Sequence, residues 1–211
     1  MDLNKYFKLF KWYYNKHGFV RLLHLSFKKI WMIINKREVL FCLDLTNETI
    51  YFHEAESNYS IQQYDDQTQI APDDIENLIN IKSKEVLFSF LGSFFSRDAT
   101  LWLAKKNDIV VGLLWTLTGG FNGFYSIPIK NNEMIVLAVE VFPGHRGHNI
   151  WPKLLNLVSS RAAEIGISRI YLKVNILNHS MLKSMTKTQC KRMGTVRTFE
   201  LFNRYITFWD K

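Results

Sequence analysis

The sequence predicts an α/β fold, a mixed and mostly antiparallel central sheet flanked by helices, preceded by an N-terminal helical and β extension. Apolar, β-branched runs alternate along the chain with amphipathic stretches at helical spacing. From residue 59 onward their order is strand, two helices, three strands, helix, strand, helix, strand. One segment, residues 134–178, reads as strand, loop, helix and returning strand, which calls for a right-handed crossover between parallel neighbours.

Taken in order, residues 59–65 read as the opening strand, and residues 71–79 as a capped helix start with Asp73 and Asp74 at the positive end of the helix dipole. Residues 84–95 form a second, apolar helix. Residues 100–117 read as a hairpin turning at Asn107 and Asp108. In the strand read at 134–143, a period of two puts Ala138, Glu140 and Phe142 on one face and Val139 and Val141 on the other. From Ile150, apolar residues recur at Leu154, Leu155, Leu157, Val158, Ala162 and Ile165 until Gly166, and Pro152 is tolerable because it lies in the first turn. Residues 170–174 are the returning strand, and Asn178 and Ser180 open a short helix.

The chemistry concentrates where the strand at 134–143 ends. A strand that runs into loop residues and a helix start presents unpaired N–H groups and a positive dipole end, so this segment is a phosphate cradle. Glu140 stands at the strand end, either as a general base or as a strand carboxylate bonded to a neighbour. His145 and His148 flank Arg146 and either meet a ligand or stand idle; their spacing matches no metal site, and no metal is expected. The glycine-rich run at 118–125 has no helix start behind it and is expected as a mobile connection over an acceptor site.

The stretch Val141-Phe-Pro-Gly-His-Arg-Gly-His-Asn-Ile-Trp151 resembles the acyl-CoA loop of the GCN5-related N-acetyltransferase (GNAT) superfamily, whose pattern is Arg/Gln-x-x-Gly-x-Gly/Ala. Arg146 fills the first position, Asn149 replaces the middle glycine and Trp151 the final small residue. Asn is the non-glycine residue most tolerant of positive φ. Trp151 would crowd the helix packing or cover part of the phosphate site. Further on, the family's Asn-x-x-(small)-x-x-x-Tyr-x-x-x-Gly-Phe falls on Asn178, Met181, Met185, Gln189 and Cys190.

The resemblance covers roughly residues 58–211 and implies an acyl-CoA-dependent N-acyltransferase with acetyl-CoA as cosubstrate. It implies pantetheine pairing near Val141 and Phe142, pyrophosphate on the N–H groups of Arg146, Gly147, His148, Asn149 and Ile150, a cofactor contact or helix cap at Asn178, and Glu140 as base. Met185, at the tyrosine position, cannot donate a proton. A second reading, a GNAT-fold binding or scaffolding protein without turnover, follows from Asn149, Trp151, Met185 and Gln189. The acceptor implied is an amine, small or sugar-linked.

At 211 residues and 47% hydrophobic, the chain suffices for one well-buried domain plus an appendage, divided here as 1–57 and 58–211. Two cysteines, Cys42 and Cys190, give no disulfide framework and suit a reducing compartment; with no signal-like or membrane-spanning run the expectation is cytoplasmic, with the inner membrane face as an option. Charge is uneven: residues 1–38 hold nine Lys and Arg against two acids, while the remainder holds eighteen against seventeen. This arm also carries nine aromatics between Tyr6 and Trp31, and Gly18 divides it into two expected helices. Docking on its own domain, peripheral membrane contact and homodimerisation all fit such an amphipathic arm, whereas nucleic acid is not expected because no recognition module surrounds the bases. Strands are expected at residues 39–45 and 49–53, and the arm resembles those of GNAT-like proteins of bacterial surface-polysaccharide synthesis.

Overall fold

The computed structural model describes residues 35–46, 59–81, 84–119, 127–201 and 204–210. The chain divides into two compact units, Val39–Gly194 and Met1–Glu38 with Thr195–Lys211. The expected strand at 39–45 is present as β1 (Asn35–Asp44), and its residues from Val39 belong to the larger unit. The arm helices, the strand at 49–53 and most of the glycine-rich run lie outside the described residues.

The larger unit continues with β2 (Tyr59–Tyr64), α1 (Pro72–Ile81), α2 (Lys84–Phe95), β3 (Thr100–Lys106), β4 (Ile109–Thr118), β5 (Glu133–Val141), α3 (Ile150–Glu164), β6 (Arg169–Asn175) and α4 (His179–Met185), with β7 (Lys191–Leu201) beginning at its end. Its strands lie side by side in the order β2-β3-β4-β5-β6-β1. The β2–β3, β3–β4 and β4–β5 pairs are antiparallel and β5–β6 is parallel, so the architecture is the mixed, mostly antiparallel sheet the sequence predicts. Asn107 and Asp108 turn the β3–β4 hairpin with φ of 50° and 63°, the pair of positive values that a tight hairpin turn demands.

Strand alternation sorts the core into two layers. Trp102, Leu114, Val136 and Ile170 pack with Ile150, Trp151, Leu154, Leu155 and Val158 of α3 on one face. On the other, Leu101, Leu103, Leu113 and Trp115 pack with Leu78 of α1 and Leu87 and Leu91 of α2. Phe94 stacks on Trp115 at 4.7 Å between ring centroids. A charge pair is also buried in this region: Lys105 Nζ lies 2.6 Å from Asp74 Oδ1, and the Tyr64 hydroxyl donates to Asp74 Oδ2 at 2.7 Å. Asp74 is therefore more than a first-turn acid for the α1 dipole.

Two β-bulges set the geometry of the β5 end. The β3–β4 register passes from Ala104↔Gly112 to Lys105↔Val110, making Val111 the extra residue of β4. The β4–β5 register passes from Trp115↔Ala138 to Thr116↔Val136, making Leu137 the extra residue of β5. Such a bulge bends its strand and reverses the side-chain phase beyond it. Met134 and Val136 accordingly face α3 before the bulge, and Val139 and Val141 face it afterwards.

In the smaller unit, the part of β7 from Thr195 pairs antiparallel with β8 (Arg204–Asp210) from Thr195↔Asp210 to Leu201↔Arg204. Phe199 and Phe208 meet edge to face at 5.9 Å.

Candidate functional site

The parallel pairing of β5 with β6 ends at Val136↔Leu172, although β5 runs on to Val141 and β6 to Asn175. The bulged Leu137 follows at once. The two strands thus part where one of them bends, and a cleft of about 560 Å³ is lined by Val139, Glu140 and Val141 on one side and by residues of α4 on the other.

Backbone alternation decides which polar groups of β5 face this cleft. Phe142 N–H donates to Val111 C=O at 3.0 Å, and Phe142 C=O accepts from His145 N–H at 2.9 Å. Its side chain is buried in the α1–α2 layer. Phe142 N–H is therefore committed to β4, and its C=O already accepts within the turn that follows. Because successive residues of a strand turn their polar groups to opposite edges, Val139 and Val141 present theirs to the open side. Arg146 Nε already donates to Val141 C=O at 2.9 Å, pinning the loop onto the strand end.

Pro143–His145 forms a short 3-10 turn, after which Arg146 is extended, Gly147 has φ of 83° and Asn149 is left-handed at φ 56°, ψ 29°. Asn149 takes the conformation for which the family uses glycine. Among the described residues no acceptor meets the backbone N–H groups of Gly147, His148, Asn149, Ile150 or Trp151. The first-turn amides of a helix lack intrahelical acceptors, and those of α3 stand at its positive end. Gly147, Asn149, Ile150 and Trp151 line the cleft; His148 is exposed and does not, although its N–H belongs to the same run. Trp151 does not stand over the loop: the residue is 4% exposed within the α3 core layer, and its buried Nε1 has no hydrogen-bond partner among the described residues.

From the other wall, Asn178 is the cap of α4, its Oδ1 accepting from Met181 N–H at 3.1 Å and from the Ser180 hydroxyl at 3.0 Å, and it lines the cleft as well. Met185 is 2% exposed and buried in the core, a packing residue where a proton donor would otherwise stand. Lys183 and Lys187 line the cleft and are not singled out in the sequence; Lys183 stands in the last turn of α4, whose Met181 and Met185 turn inward, and Lys187 lies just beyond its end. With Arg146 they bring three basic side chains to the cleft, and among the described residues its one lining carboxylate is the half-buried Glu140. Unpaired N–H groups beside cations suit a phosphorylated ligand, and an open strand edge suits an amide-bearing chain, so the residues fit an acyl-CoA. Among the described residues no group of three or more His, Cys, Asp or Glu is placed to hold a metal ion, and no helix is long and apolar enough to cross a membrane.

Residues 47–187 match the family model described as Acetyltransferase (GNAT) family, and the chain belongs to that family. By structure it is similar to an acetyltransferase of the GNAT family from Colwellia psychrerythraea, at 12% identity and a TM-score of 0.53 over 89% of this chain and 62% of that one. It is also similar to a tandem GNAT protein from the clavulanic acid biosynthesis pathway, at 13% identity and a TM-score of 0.51 over 82% and 53%. A GNAT-family protein from Novosphingobium aromaticivorans aligns at 10% identity and a TM-score of 0.50 over 77% and 62%. The chain thus spans about three-fifths of the length of the first of these structures. No curated protein matches its sequence.

Proposed function

We propose that the chain is an acyl-CoA-dependent N-acyltransferase that moves acetyl from acetyl-CoA to an amine. The observation that carries this reading is the coincidence at one point of three features: the end of the β5–β6 pairing, the bulge at Leu137, and the run of unpaired amides at residues 147–151. The amides at 147–151, with Lys183, would hold the pyrophosphate, and the open edge at Val139 and Val141 would hold the pantetheine arm.

Bound there, acetyl-CoA supplies an activated thioester. Glu140 takes the proton from the acceptor ammonium, directly or through water, because it is the carboxylate at the strand end beside the cleft. Burial of Met185 removes a thiol-protonating side chain from that position, leaving water to protonate the departing sulfur. The acceptor we favour is the amine of an amino sugar in surface-polysaccharide synthesis, supported by the basic aromatic arm and its resemblance to such proteins. A non-catalytic GNAT-fold binding protein is the second reading, favoured by the same buried Met185.

Titration of the purified chain with CoA and acetyl-CoA by calorimetry, followed by a thiol-release assay over a panel of amines, tests the proposal. Binding with turnover on an amino sugar supports it. Binding without turnover on any amine moves the assignment to the second reading, and failure to bind CoA defeats both.

A further inference from the structure

Asn149 and Lys187 meet across the cleft, Lys187 Nζ donating to Asn149 Oδ1 at 2.7 Å. An asparagine at a helix N-cap ordinarily accepts from the amide of the second or third helical residue. Asn149 makes no such bond. The third helical residue is Pro152, which has no N–H, and the left-handed backbone of Asn149 differs from the extended conformation that such a cap adopts. Its side chain is thereby released from its own helix and taken up by Lys187, just beyond the end of α4.

We propose that Lys187 is a positioning residue for the phosphate cradle: by holding the Asn149 side chain it keeps residue 149 in the left-handed conformation that a glycine would take unaided, and so keeps the neighbouring amides aimed into the cleft. The inference rests on the reading of this cleft as an acyl-CoA site. It assigns Lys187 a role through Asn149 rather than as a charge set directly on a phosphate. The two roles differ in what happens when Asn149 is replaced by glycine, which needs no clamp.

The experiment is a double-mutant cycle read by calorimetry on the full chain, using CoA, 3′-dephospho-CoA and pantetheine as probes, with Lys187→Met, Lys187→Arg, Asn149→Gly and the Asn149→Gly/Lys187→Met pair. The expected result is that Lys187→Met weakens CoA and dephospho-CoA alike by roughly five- to tenfold, the scale of one charge-assisted hydrogen bond, while Lys187→Arg restores most of the loss. Pantetheine, which carries no phosphate, is held equally by all four variants and the parent. In the Asn149→Gly background, Lys187→Met changes CoA affinity by less than about twofold. An equal loss in both backgrounds, or a loss for CoA but not for dephospho-CoA, overturns the proposal by making Lys187 a direct phosphate ligand. No loss in the parent background overturns it outright. A parent chain that binds no CoA defeats the acyl-CoA reading itself, and this inference with it.

Discussion

Gly112 on β4 lies so close to Glu140 on β5 that a Cβ built on it would stand 2.8 Å from the Glu140 carbonyl oxygen. The obstruction is backbone, which cannot swing aside as a flexible side chain would. The close approach joins the bulged β4 to the strand end that carries Glu140 and lines the cleft. Gly112→Ala should push the β5 end outward, lowering stability by roughly 1–3 kcal/mol and weakening acetyl-CoA binding in the fraction that stays folded. Chemical denaturation and calorimetry on the one variant check both effects. A variant with native stability and affinity would show that β4 and β5 adjust at no cost.

How far the sequence reaches is clearest along β5. Its residues, the helix after it and the returning strand were all readable, because a period of two and a stripe at helical spacing are local signals. The bulge at Leu137 was not, since it arises from the register against Trp115 and Thr116 on another strand. The bulge matters because it opens the strand end at which Val139 lines the cleft, while Phe142 is tied to Val111 and His145. Asn149 was legible from backbone preference alone and is left-handed as expected. Its bond to Lys187 spans 38 residues and depends on how α4 meets α3, which no local pattern encodes.

Trp151 combines a buried indole with an Nε1 that has no partner among the described residues. An unsatisfied buried N–H costs about 1–3 kcal/mol, whereas the ring body fills core volume. Trp151→Phe, which keeps an aromatic body without the donor, should leave stability unchanged or raise it by about 1 kcal/mol. Trp151→Ala should lower it by roughly 3–5 kcal/mol. Denaturant midpoints for the two variants test the pair, and a phenylalanine variant as unstable as the alanine one would mean that the indole N–H is satisfied in solution.

The Asp74–Lys105 pair is closed at 2.6 Å, with side chains 1% and 10% exposed. Removing one member leaves the other charge buried without its partner, so Asp74→Leu alone should cost roughly 3–5 kcal/mol. The double replacement Asp74→Leu/Lys105→Met should recover most of that loss, because an apolar pair of similar volume carries no desolvation penalty. Additive losses in the double variant would count against the pair as a coupled unit.

Tyr64 gives this region a pH signature. Burial, and then the hydrogen bond to Asp74 and its charge, push the phenol up to about 12, against about 10 in the unfolded chain. A group whose folded value is raised contributes stability that is complete below its unfolded value and is lost as pH rises through the folded one. Stability should therefore hold to about pH 10 and fall from there toward about pH 12. Tyr64→Phe should show a shallower decline over that window, measured by urea midpoints at stepped pH. Parallel declines in the two proteins would place the titrating group elsewhere.

The arm before Val39 is tested by charge. Nine Lys and Arg against two acids, with nine aromatics from Tyr6 to Trp31, give the arm a composition suited to anionic lipid. Each basic residue near such a membrane contributes about 1 kcal/mol, screened over a Debye length of roughly 8–10 Å. Co-sedimentation with vesicles should consequently rise with the fraction of anionic lipid and fall steeply with salt, and deletion of residues 1–34 should abolish it while sparing CoA binding. The deletion also separates the arm's other roles. If it leaves an insoluble chain and the intact protein ignores anionic vesicles at low salt, the aromatics serve the fold; if it converts a dimer to a monomer with no change in vesicle binding, they serve the second copy.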